Sequence, residues 1–158
     1  MNEWQQSFAG KIEALRETWA QRFDTMAKET LEPTFEEFTE FVQQWNIQSN
    51  IPRAQNSMRS FKFILAEDAY VLIFFRGKGV DAVECQYGCA IPGQGTSEGP
   101  RSDTMVCNVD RKWAENCFKT ALDAFVTKLT ESEQTKISTT AATENIEVAE
   151  DEPEPANV

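Results

Sequence analysis

The feature that most constrains this chain is a run of six large apolar residues, Tyr70, Val71, Leu72, Ile73, Phe74 and Phe75. Side chains alternate between the two faces of a strand, so a strand here presents Tyr70, Leu72 and Phe74 to one side and Val71, Ile73 and Phe75 to the other. A strand wetted on one face keeps polar residues there. This run has none, and it is read as the central strand of a sheet whose two faces both need cover. Its flanks carry turn chemistry: Glu67 and Asp68 before it, Gly77, Lys78 and Gly79 after it. On one side, Phe61, Phe63 and Leu65 alternate with Ser60, Lys62 and Ala66, apart from Ile64. On the other, Val83, Cys85, Tyr87, Cys89 and Ile91 alternate with smaller or polar residues. A fourth strand is expected at about 104–108, after a glycine- and proline-rich loop over 92–100.

Helical spacing governs the segments outside this block. Trp4, Phe8, Ile12, Leu15, Trp19, Phe23 and Met26 recur at steps of three and four, the stripe of a helix lying on a core. Gly10 weakens it by about 1 kcal/mol relative to alanine. Pro33 disfavours helical geometry in the residue before it, which predicts a stop or kink near Leu31 or Glu32. A second helix is expected from Thr34, where Thr34 and Glu37 have capping-box spacing, with Phe35, Phe38, Phe41, Val42 and Trp45 as its apolar face. Residues 46–57 include Asn50, Pro52 and Asn56, lack periodicity and read as a connecting loop. Asp110 is placed to cap a last helix whose stripe is Trp113, Cys117, Phe118, Ala121, Leu122, Phe125 and Leu129. The expected class is α+β: two N-terminal helices, a four-stranded antiparallel meander and a C-terminal helix.

With 158 residues there is room for one ordinary core, expected over residues 1–130. From 131 to 158 the composition changes: eight acids, one base (Lys136) and no aromatic residue give about −7 of the formal −11. Such a segment buries too little apolar surface to offset its ordering entropy, which predicts a disordered acidic tail. The formal −11 of the whole chain and its pI near 4.5 oppose a grip on phosphate backbones, so nucleic acid is not an expected partner. Anionic membranes repel the chain for the same reason, and its apolar runs are far shorter than the roughly 20 residues that span a bilayer. Asn2, Glu3, Trp4, Gln5 and Gln6 form neither the basic start nor the apolar core of a secretory signal, so the cytoplasm is the expected location.

The chain has no histidine. That removes the commonest general base, every imidazole-dependent triad and every histidine-containing metal site. An enzyme would have to work through carboxylates, lysine or tyrosine, and no spacing marks such a group, so the reading leans away from catalysis and assigns no catalytic residue and no cofactor. The four cysteines, Cys85, Cys89, Cys107 and Cys117, lack the close pairs of a zinc site, being separated by three, seventeen and nine residues. On one strand Cys85 and Cys89 would lie roughly 13 Å apart at about 3.3 Å per residue. Free, mostly buried thiols are expected and no metal site is assigned. The 92–100 loop lacks the Gly-Lys-Ser/Thr continuation and the strand-to-helix setting of a phosphate cradle. Arg76, Lys78 and Arg101 offer either local positive charge for an acidic ligand or, as the preferred reading, ordinary solvated turn residues.

Two classes of function rank ahead of an enzyme without histidine, which stands third. The first is a non-enzymatic protein-interaction module, a small acidic adaptor or chaperone-like domain that binds a second copy or another polypeptide through the sheet, at Val71, Ile73 and Phe75, or through the aromatic helix faces. The second is a module for a small apolar ligand, with a pocket between the sheet and the first two helices lined by Trp19, Phe38, Trp45 and Tyr87. Both rest on whether the helices cover one face of the sheet or two.

Overall fold

The computed structural model describes residues 2–151, with residues 138–151 described by their backbone alone. It is a mixed α+β structure of N-terminal helices, an antiparallel sheet and a C-terminal helix. The chain divides into two compact units, Met1–Phe125 and Val126–Val158.

The first helix, α1 (Glu3–Met26), opens with a capping box: the Gln5 N–H donates to Asn2 Oδ1 at 2.8 Å, and the Asn2 N–H donates to Gln5 Oε1 at 3.0 Å. Pro33 does not stop the helix. The backbone stays right-handed helical through Leu31 and Glu32, and the strain is taken up by a π turn over Ala27–Leu31, where the Glu32 N–H reaches back to the Ala27 carbonyl. The next helix, α2 (Glu32–Val42), therefore begins at Glu32 and needs no cap at Thr34. Instead of forming the expected capping box, the Thr34 hydroxyl donates to the Thr30 carbonyl at 2.7 Å. A single 3-10 turn, Gln43–Trp45, and a left-handed Asn46 (φ 59°) then turn the chain into the sheet.

The sheet has six strands, where the sequence reading counted four. They are β1 (Gln48–Gln55), β2 (Met58–Ala66), β3 (Ala69–Lys78), β4 (Ala82–Ile91), β5 (Gly95–Glu98) and β6 (Ser102–Met105). All pairs are antiparallel, in the order β1-β2-β3-β4-β5, with β6 on the same β4 that carries β5. The segment read as a loop over 46–57 is largely the edge strand β1. Its register shifts between Asn50 and Arg53, so Ile51 and Pro52 fall in an irregularity where proline's missing N–H costs no ladder bond. The expected long loop over 92–100 is mostly a tight hairpin: the Gln94 N–H donates to the Ile91 carbonyl at 3.0 Å, with proline at the second turn position and Gly93 at φ 79° in the third. That is a type II turn, which needs a residue tolerant of positive φ where Gly93 stands. Beyond it β5 pairs with residues 88–91 and β6 with residues 82–85, so one last strand lies along β4, interrupted at residues 99–101. The fourth strand expected at 104–108 thus begins earlier and gives way to a 3-10 turn, Val106–Asn108.

The third helix, α3 (Arg111–Asp151), starts as expected, with the Trp113 N–H donating to Asp110 Oδ1 at 2.8 Å. It does not end near Thr130. The helix continues to Asp151, so the tail expected from 131 begins inside it, and residues 152–158 of that tail lie outside the described residues.

The core of the first unit lies on one face of the sheet. Phe118 packs against Phe61, Phe63 and Phe75 at ring distances of 5.4, 6.2 and 5.8 Å, and Phe35 packs on Phe61 and Phe63 at 4.8 and 5.3 Å. Trp113 meets Phe75 edge-on. Every one of these ring contacts from α2 and α3 falls on the same set of alternating strand positions.

Candidate functional site

Register places Met58, Ser60, Lys62 and Ile64 of β2 beside Arg76, Phe74, Leu72 and Tyr70 of β3, and those beside Glu84, Gln86, Gly88 and Ala90 of β4. This is the face opposite the core. Among the described residues, no helix of the first unit places a ring or a hydrogen bond on it. Tyr70, Leu72 and Phe74 are each half-buried by their strand neighbours, while Val71, Ile73 and Phe75 are wholly buried at 0% exposure. The two faces of the apolar run thus have different fates. The residues singled out from sequence as a partner surface, Val71, Ile73 and Phe75, lie on the sealed side, because α2 and α3 both deliver their phenylalanines there. The side open to solvent belongs to Tyr70, Leu72 and Phe74.

Charged side chains frame that open apolar strip. Glu84 sits between two arginines, with Oε2 2.9 Å from Arg76 and Oε1 3.1 Å from Arg101, and its side chain is 3% exposed. The Arg76 hydrogen bond, aided by the charges of Arg101 and Lys78, holds its carboxyl below the ordinary value despite the opposing effect of burial. Lys78 pairs with Asp103 at 3.7 Å, and the Lys62 ammonium lies 4.0 Å from the centre of the Tyr70 ring. Arg53 reaches Met58 Sδ at 3.9 Å. The cations Arg53, Lys62, Arg76, Lys78 and Arg101 therefore outnumber the acids Glu84, Glu98 and Asp103 here, in a chain whose formal charge is −11. Met58, Phe74, Arg76, Glu84 and Gln86 line a hollow of about 150 Å³ on this face. That is well below the roughly 300–1,000 Å³ of a cleft for a drug-sized molecule.

The four residues proposed to line a ligand pocket sit in four separate places. Trp19 borders a hollow with Ile12 and the turn between β3 and β4. Phe38 stacks on Phe118 at 5.5 Å, and Trp45 is 54% exposed with its ring edge-on to Phe41 at 5.2 Å. Tyr87 borders a cavity with Cys85, Trp113 and Cys117. A second apolar surface stands on α1, where Trp4 and Phe8 stack at 5.4 Å and are 70% and 53% exposed.

Two polar clusters escaped the sequence. One is the Arg76–Glu84–Arg101 clamp, since Arg76 and Arg101 were read as solvated turn residues. The other lies on the core side, where Arg59, with its side chain 3% exposed, pairs with Asp24 of α1 and, at 3.4 Å, with Glu32 of α2. Its guanidinium also donates to the Gln55 and Met58 carbonyls at 2.7 and 3.0 Å. Among the described residues no three of the cysteines and acids gather as a metal site, and no helix is long and apolar enough to cross a membrane. The chain matches no family model, and no curated protein or solved structure matches it.

Proposed function

We propose that this protein is a non-enzymatic interaction module, an adaptor or chaperone-like domain, which binds another polypeptide on the helix-free face of its sheet. The observation that carries this reading is the one-sided placement of α2 and α3, which leaves Tyr70, Leu72 and Phe74 partly exposed in the middle of the sheet. A strand apolar on both sides commonly has cover on both. The charge around the strip selects the partner. Two copies meeting through this face would bring like surpluses of positive charge together, whereas an acidic segment with apolar side chains meets complementary charge and apolar surface at once. The partner is therefore a different polypeptide, acidic and aliphatic. An acidic protein carrying such a surface is also kept soluble by its own net charge.

The test titrates the purified protein with fluorescent peptides of equal apolar content and opposite charge, and follows anisotropy at several salt concentrations. The acidic peptide binds, more weakly as salt rises, and Leu72→Glu lowers its affinity by tenfold or more. Equal binding of both peptides, or an unchanged affinity for Leu72→Glu, overturns the reading. Light scattering reports the alternative occupant: a dimer dissociated by Leu72→Glu assigns the face to a second copy and removes the acidic partner.

A further inference from the structure

Cys85 projects from β4 on the core side of the sheet, opposite Phe75, and Cys117 stands on α3 one residue before Phe118. Both are free thiols, at 4% and 8% exposure. They border one cavity of about 230 Å³, together with Tyr87, Trp113, Asn116 and Ser102. The break in the last strand lies directly beside it. Between β5 and β6 the pairing with β4 is interrupted: the Gly99 N–H still donates to the Tyr87 carbonyl at 2.9 Å and its Cα lies close against the Tyr87 ring, while Pro100 and Arg101 form part of the cavity wall. The two cysteines, far apart in sequence, thus line one pocket beside the interruption between β5 and β6.

We propose that Cys85 and Cys117 form a dithiol site that small hydroperoxides reach past residues 100–101 and close to a disulfide, joining β4 to α3. Cys117, the more exposed of the two, attacks first. Its sulfur displaces one peroxide oxygen, forming a sulfenic acid and releasing water or an alcohol, while its proton passes to the leaving oxygen. The Cys85 sulfur then attacks the sulfenic sulfur, the S–S bond forms, and the hydroxyl leaves with the Cys85 proton as a second water. Two thiols lose two electrons, and the O–O bond of one hydroperoxide accepts them. The order of attack suits the local chemistry: a hydrogen bond with Cys117, then burial, holds the Cys85 thiol protonated well above the ordinary range, so Cys85 is the slow partner. Cys89 is on the same strand but roughly 13 Å from Cys85 at about 3.3 Å per residue, and Cys107 is exposed.

The test exposes the folded full-length protein to hydrogen peroxide, alkylates remaining thiols after denaturation and maps the cysteines by mass spectrometry. A reversible loss of two hydrogens, located in a peptide joining Cys85 to Cys117, is expected. Dithiothreitol restores both thiols, and Cys117→Ser abolishes the link. The proposal is overturned if Cys107 oxidises while Cys85 and Cys117 still alkylate fully, or if either goes singly to a sulfinic acid in the wild type. Should Cys117→Ser fail to fold, the wild-type map decides the matter by itself.

Discussion

At the residue scale, Arg59 does the most to hold separate elements together. It comes from β2, sits on the core side, and ties Asp24 of α1 to Glu32 of α2 on either side of the π turn. Arg59→Ala removes the shared cation from both carboxylates, leaving Asp24 with Lys28 alone at 3.1 Å. The expected loss is about 2–3 kcal/mol in urea unfolding, less than the roughly 3–5 of a fully buried pair, because Asp24 and Glu32 keep over a quarter of their surface in water. The same contact sets an acid response. The Arg59 hydrogen bond, then that of Lys28, holds the Asp24 carboxyl below its ordinary value of 3.8, against a smaller opposing effect of burial. A carboxylate with a depressed folded value contributes stability above its unfolded value and loses it as pH falls through the folded one. Wild-type stability therefore declines as pH drops below about 4, and Arg59→Ala, followed by urea midpoints across that window, shows a shallower decline.

At the element scale, α1 is long but little of it is buried: Phe23 and Met26 are its buried residues, both near its end. A Cβ at Gly10 meets nothing within 4 Å. Gly10→Ala therefore strengthens the helix by about 1 kcal/mol and slows amide exchange of its neighbours roughly fivefold, read by hydrogen exchange with mass spectrometry. Loss of the effect would mean that the turn around Gly10 is held by something other than its own helical bonds. The helix itself was legible from the spacing of Trp4, Phe8 and Ile12, as were the core positions Phe61, Phe63 and Val83 and the Asp110 cap, but the core expected under the whole stripe covers only Phe23 and Met26, while Trp4, Phe8, Leu15 and the strand residue Leu65 are exposed. What the spacing did not contain was how much of the stripe is covered. Pro52 hid β1, because a proline reads as a break unless the strand is known to be an edge with an irregular register. Pro33 misled in the opposite sense, since an i+5 turn absorbs a proline that i+4 geometry rejects. Glu84 was invisible as a site member because its partners come from β3 and from the strand break, which register alone brings together.

At the scale of the whole molecule, the apolar run at residues 70–75 demanded cover on both sides, and the first unit supplies it on one. The sequence reading placed the partner on Val71, Ile73 and Phe75; the helices took that side because Phe35, Trp113 and Phe118 all reach it. Choosing between two apolar faces requires knowing which one the helices select, and that depends on the approach of α2 and α3 to the sheet, which periodicity within a helix does not encode. Carbene footprinting of the dilute full-length protein, resolved to single residues by fragmentation, tests the asymmetry within one strand. Tyr70, Leu72 and Phe74 are expected to be modified while Val71, Ile73 and Phe75 between them are protected; equal protection of all six would contradict an open face and leave the proposed partner without a place to bind.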